Sequence, residues 1–80
     1  MSIKLLFFAQ CAEWVQKKEL RIPLNHSNNL FEILGSVAEV KPIVDRAAYL
    51  KVAVNQELKD FQTEVFDGDE VAFMPPYSGG

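Results

Sequence analysis

One stretch of this chain repeats its apolar residues with the full period of an amphipathic helix: Leu30, Ile33, Leu34 and Val37. Residues so spaced share one face, so the segment has to bury a stripe against something else. Most other apolar residues alternate or run in short blocks. Ile3, Leu5 and Phe7 fall on one side of an extended segment, and Lys4, Leu6 and Phe8 on the other. The second side is largely apolar too, which suits a strand partly covered on both faces. Leu20, Ile22 and Leu24 alternate with Glu19, Arg21 and Pro23, the pattern of a half-buried strand, and Pro23 points to a sheet edge. Leu50 to Val54 and Glu70 to Met74 read as further strands, and Leu58 to Val65 is mixed, with room for a short one.

Local signals place the boundaries. Asn29 with Glu32 three residues on resembles a capping box at the helix start. Gly35 weakens the second half of that helix, and Pro42 limits how far it runs. Ala9 to Lys18 reads as a broad connection with one or two helical turns, pinned by Trp14 and Val15. Asn55-Gln56-Glu57 and Asp67-Gly68-Asp69 read as turns. Pro75-Pro76 ends the last strand, because neither residue donates a ladder hydrogen bond. The order is strand, strand, helix, strand, short strand, strand. With no second full helix, an α+β fold of the β-grasp type fits better than a ferredoxin-like fragment. The first two strands form a hairpin, and the last lies beside the first in a mixed sheet. The predicted core is Leu5, Phe7, Ile22, Leu30, Ile33, Leu34, Val37, Val52, Val54, Val65, Val71 and Phe73. Residues 1–74 make the domain and residues 75–80 an extended tail.

Composition narrows the function classes. Eighty residues make one domain at most, and an apolar fraction of 49% is too high for a disordered tail. The net charge is -3, and no Lys/Arg run exceeds Lys17-Lys18, so a nucleic-acid partner is disfavoured. No apolar run approaches the ~20 residues that cross a bilayer, so no membrane partner is expected. The N-terminus lacks the pattern of a signal peptide, which makes the cytoplasm the expected location. The single Cys11 reads as a small, buried thiol and His26 as a loop residue on the surface. Asp67 and Asp69 read as turn formers, and neither metal nor bound cofactor is expected. The four glycines, Gly35, Gly68, Gly79 and Gly80, make no phosphate loop. No assembled active site is visible.

What remains is the end of the chain, Met74-Pro75-Pro76-Tyr77-Ser78-Gly79-Gly80. Six residues from Pro75 onward reach roughly 20 Å when extended. The last two have no side chains, a shape that threads a narrow channel and delivers a terminal carboxyl into a partner. From physics alone a frayed end is an equal alternative.

The segments Phe7-Phe8-Ala9 and Val52-Ala53-Val54-Asn55, and the whole block from Asp67 to Gly80, resemble the small subunit of molybdopterin synthase, a ubiquitin-like sulfur carrier. The resemblance spans the chain but is loose between Asn25 and Tyr49. Asn29 stands where Thr or Ser is more usual, and Tyr77 is bulkier than the Val often found there. The resemblance implies that an activating enzyme uses ATP to adenylate the Gly80 carboxylate. A sulfur donor protein then converts it to a thiocarboxylate. The tail next enters the large catalytic subunit and gives its sulfur to a cyclic pyranopterin monophosphate, forming the molybdopterin dithiolene. The catalytic groups belong to the partners, so the chain is a sulfur-donating subunit without an active site of its own. Gly79 is expected to matter for channel fit. Phe8, Phe66, Met74, Pro75, Pro76, Tyr77 and Ser78 are the expected contacts in a heterodimer that doubles to a heterotetramer. Other readings of a terminal Gly-Gly are a sulfur carrier for thiazole synthesis or tRNA thiolation, or a ubiquitin-like protein modifier.

Overall fold

The computed structural model describes residues 1–25 and 27–76. Five strands form one mixed sheet: β1 (Ser2–Phe7), β2 (Glu19–Pro23), β3 (Lys51–Val54), β4 (Glu57–Lys59) and β5 (Glu70–Met74), in the order β2-β1-β5-β3-β4. β1 pairs with β2 antiparallel and with β5 parallel, and β3 pairs antiparallel with both β5 and β4. The predicted hairpin, the central β1–β5 pair and the edge position of the Pro23 strand are all present. A proline belongs at that edge because one side of β2 has no ladder to complete. Asn55 (φ 50°) and Gln56 (φ 72°) join β3 to β4. Two left-handed residues between strands make the tight hairpin whose twist matches the sheet. Glu57, expected in the turn, is instead the first β4 residue, paired with Val54.

Three short helices cover one face: α1 (Gln10–Val15), α2 (Leu30–Gly35) and α3 (Lys41–Asp45). The expected amphipathic helix is α2, and it stops earlier than the apolar spacing suggested. Past Gly35, the Ser36 hydroxyl donates to the Ile33 carbonyl at 2.8 Å, and Val37 is extended. Val37, predicted as core, therefore packs against the core only partly buried. The start is as predicted on one side: Glu32 N–H donates to Asn29 Oδ1 at 3.0 Å. The other arm of the box runs through Ser27, whose hydroxyl donates to Glu32 at 2.7 Å and accepts from Asn29 N–H at 3.0 Å. Between α2 and β3 the chain forms 3₁₀ turns at Ala38–Val40 and Ala47–Tyr49, with α3 between them. Pro42 sits in the first turn of α3, where its missing N–H is not needed. This segment buries Val40, Ile43 and Leu50, which the apolar periodicity did not reveal.

Eleven of the twelve predicted core residues are buried, joined by Ile3, Cys11, Val15, Val40, Ile43 and Leu50. Phe73 lies at the centre, stacked on Phe7 at 5.6 Å and on Phe61 at 5.9 Å between ring centroids. Arg46 places its guanidinium 4.5 Å from the Trp14 ring centre, clamping α3 to α1. That contact anchors the broad connection at the residue the sequence suggested. Among the described residues no helix is long and apolar enough to cross a membrane.

Candidate functional site

The parallel pairing of β1 and β5 decides where the tail leaves. Both strands end at the same edge of the sheet, with Phe7 beside Phe73. Phe8 N–H donates to the Phe73 carbonyl at 3.1 Å, so Phe8 stands next to the start of the tail. Phe8 is 48% exposed, an uncommon position for a large aromatic unless something covers it. Met74 and Pro75 are half-buried and Pro76 exposed. Lys51, at the start of β3, pairs with Met74.

The sheet face away from the helices carries a single apolar row. Leu6 pairs with Ala72, Ala72 with Ala53, and Ala53 with Leu58. Leu58 closes the row on the edge strand, 68% exposed. Small residues in the middle and larger ones at the ends leave a shallow apolar saddle. Met74 lies one register step further toward the tail on the same face, because alternate residues of β5 share a side. The saddle is therefore continuous with the root of the tail. Leu58 was read only as the start of a mixed segment and not as a partner contact; its pairing with Ala53 across a two-residue hairpin is the signal that places it.

Phe66 behaves differently. It is 57% exposed but precedes the turn that enters β5, at the opposite end of that strand. Five strand residues separate it from the tail root, roughly 16 Å. Phe8, Met74, Pro75 and Pro76 come together; Phe66 does not join them. Tyr77, Ser78, Gly79, Gly80 and His26 lie outside the described residues.

The remaining chemical groups are structural. Asp67 Oδ1 accepts from Ser2 N–H at 2.8 Å. Asp69 accepts from Phe66 N–H at 2.8 Å and from the Asn55 amide at 2.9 Å. Both aspartates form their turn, as expected. Cys11 is fully buried, and that burial pushes its thiol above the ordinary value, partly offset by a backbone hydrogen bond. A buried, neutral thiol is a poor nucleophile. Among the described residues no three His, Cys, Asp or Glu side chains converge as a metal site.

A family model described as the ThiS family matches residues 5–80. This chain belongs to the ThiS family. The match runs from the middle of β1 through the other four strands to the final glycine, and the resemblance to sulfur carriers read from the sequence is borne out. Among curated relatives of this ThiS-family chain, the molybdopterin synthase sulfur carrier subunit of Escherichia coli is 36% identical, over 98% of this chain and 99% of the relative. The subunit of the same name from Chlamydomonas reinhardtii is 35% identical over the whole of both chains. Among solved structures, SAMP1 from Haloferax volcanii superposes with a TM-score of 0.80 at 24% identity, over the whole of both chains. A chain from the complex of subunits 1 and 2 of molybdopterin-converting factor from Helicobacter pylori gives a TM-score of 0.69 at 25% identity, again over both whole chains. The ThiS-family chain thus has the ubiquitin-like β-grasp fold that its element order suggested.

Proposed function

We propose that this chain is the sulfur-donating small subunit of a molybdopterin synthase, with the carboxylate of Gly80 as its working group. The observation that carries the reading is the family match through Gly80 itself, on a fold whose last strand ends beside an uncovered apolar saddle. The relatives' shared name, sulfur carrier subunit, supports the role. The Helicobacter pylori complex of subunits 1 and 2 supports a second synthase subunit as the partner, and the saddle is the surface assigned to it in this reading.

The chemistry explains why such a carrier needs partners. An α-carboxyl has a pKa of about 3.3–3.7, so at neutral pH it is an unreactive carboxylate. In the proposed cycle a carboxylate oxygen of Gly80 attacks the α-phosphate of ATP on an activating enzyme, and pyrophosphate leaves. Sulfur then displaces AMP from the acyl carbon, either as hydrosulfide, which leaves the thiocarboxylate directly, or as the persulfide of a donor protein, whose acyl disulfide a thiol then cleaves to the thiocarboxylate and a disulfide. The resulting thiocarboxylate is a soft nucleophile that the larger subunit directs at a pyranopterin precursor. Pro75 and Pro76 stiffen the start of the tail, and Gly79 and Gly80 let bare backbone pass a channel wall closely. Phe8, Leu6, Leu58 and Met74 anchor the body, since aromatic residues and Met are enriched in interface cores.

Intact mass spectrometry tests the reading. The chain is incubated with its activating enzyme, ATP and a sulfur source. The expected result is a gain equal to the exchange of one oxygen for sulfur, located at Gly80. Isopeptide linkage of Gly80 to lysines of other proteins, with no sulfur gain, would instead make the chain a protein modifier.

A further inference from the structure

Ala9 occupies a backbone conformation in which a side chain is out of place. Its φ is 50° and its ψ -125°. The Cys11 N–H closes the turn onto the Phe8 carbonyl at 2.9 Å. These angles belong to the first central position of a type II′ turn, which glycine fills by default. Among the described residues the others with positive φ are Gln16, Asn55, Gln56 and Gly68. Gln16 sits in the ordinary left-handed region at φ 67°, ψ 28°, and Asn55 and Gln56 make the tight hairpin. Ala9 is thus the residue held where its own Cβ is penalised. Such strain persists where the surroundings or a function demand it.

The fold makes no use of the Ala9 methyl. Ala9 is exposed and belongs neither to the core nor to the residues packed on it. Glycine would form the same turn without strain. Yet the turn lies directly beside the tail root, through the Phe8–Phe73 hydrogen bond. With Leu6, Phe8, Ala12, Lys18 and Glu19, Ala9 lines a depression next to the apolar saddle.

We propose that the Ala9 methyl is a contact for the larger subunit that receives the tail, and that the strained turn is kept to aim this methyl and the Phe8 ring at it. The inference rests on the function proposed above and adds a positioning residue to it. Ala9 touches the partner, not the reacting atoms.

The test compares the wild-type chain with Ala9→Gly and with a synthetic chain carrying D-alanine at position 9. Glycine removes both strain and methyl. D-alanine prefers positive φ but points its methyl elsewhere. Both variants are expected to unfold at a higher temperature than wild type while binding the larger subunit more weakly. The loss for glycine is about fourfold, the share of one methyl group buried at an interface, and that for D-alanine at least as large. Variants that bind as tightly as wild type would overturn the inference, as would variants that melt lower. A wild-type chain that fails to bind the larger subunit would overturn the proposed function as well.

Discussion

The two ends of the sheet are built on opposite plans. At the end where β1 and β5 begin, loops and strands are tied together densely. Ser2 N–H reaches Asp67, Gly68 N–H reaches the Ser2 carbonyl at 2.8 Å, and Lys4 N–H reaches the Asp69 carbonyl at 2.9 Å. Asn55 bridges the same region, donating to Asp69 and accepting from Glu70 N–H at 3.0 Å. At the end where β1 and β5 finish, the chain offers a bare aromatic ring, a strained turn and two prolines. The tied end aligns four of the five strands and spends its polar groups on one another. The open end is held by the core behind it, through Phe7 and Phe73, and keeps its surface uncommitted. In the proposed function, rigidity at one end leaves the other free to meet a partner without deforming the domain.

Breaking the tied end should give the larger effect on stability. Asp69→Ala removes acceptors for Phe66 N–H and the Asn55 amide together. We expect a loss of about 1–2 kcal/mol, read by chemical denaturation, with tail chemistry in the folded fraction unchanged. A loss of sulfur transfer out of proportion to unfolding would mean that the two ends are coupled.

Changing the apolar saddle, which runs on to the open end, should do the reverse. Leu58→Ser touches an exposed side chain, so stability should stay within about 0.5 kcal/mol of wild type. Affinity for the larger subunit should fall about tenfold, as for truncation of a large apolar interface anchor. Calorimetric titration measures it. Unchanged affinity would move the contact surface away from the saddle.

The contrast between the ends also explains what could be read without coordinates. The tied end was legible because its chemistry is local: Asp67-Gly68-Asp69 is a turn in any context, and Asn55 tolerates left-handed backbone. Alternation marked the strands, Pro23 marked an edge and Pro75-Pro76 the end of the last strand, while the places of β3 and β4 in the sheet came from the structure. The stretch from Ala38 to Tyr49 was not legible. Its turns are each too short to establish a period, and Pro42 looks like a helix limit until it is seen inside the first turn of one. Val40 and Ile43 were missed for that reason. At the open end, Phe8 and Met74 were readable as apolar residues near the tail. Leu58 needed the hairpin register to place it on their face. Phe66 looked equivalent in sequence, but only topology shows that β5 carries the chain away from it. The strain at Ala9 has no sequence signature, since alanine there gives no hint that the turn asks for glycine.

The proposed function separates a folded body from a chemically active tail, and deletion of Gly80 tests that separation most directly. Thermal unfolding and thiocarboxylate formation are measured on the same preparation, with activating enzyme, ATP and sulfur source supplied. Residues beyond the Pro75-Pro76 stop should add little to the core, while one missing residue withdraws the terminus by roughly 3.5 Å, and a misplacement of about 1 Å already costs a hundredfold in rate. The predicted result is a wild-type melting transition with no sulfur gained. A shortened chain that still accepts and transfers sulfur at the wild-type rate would contradict the account.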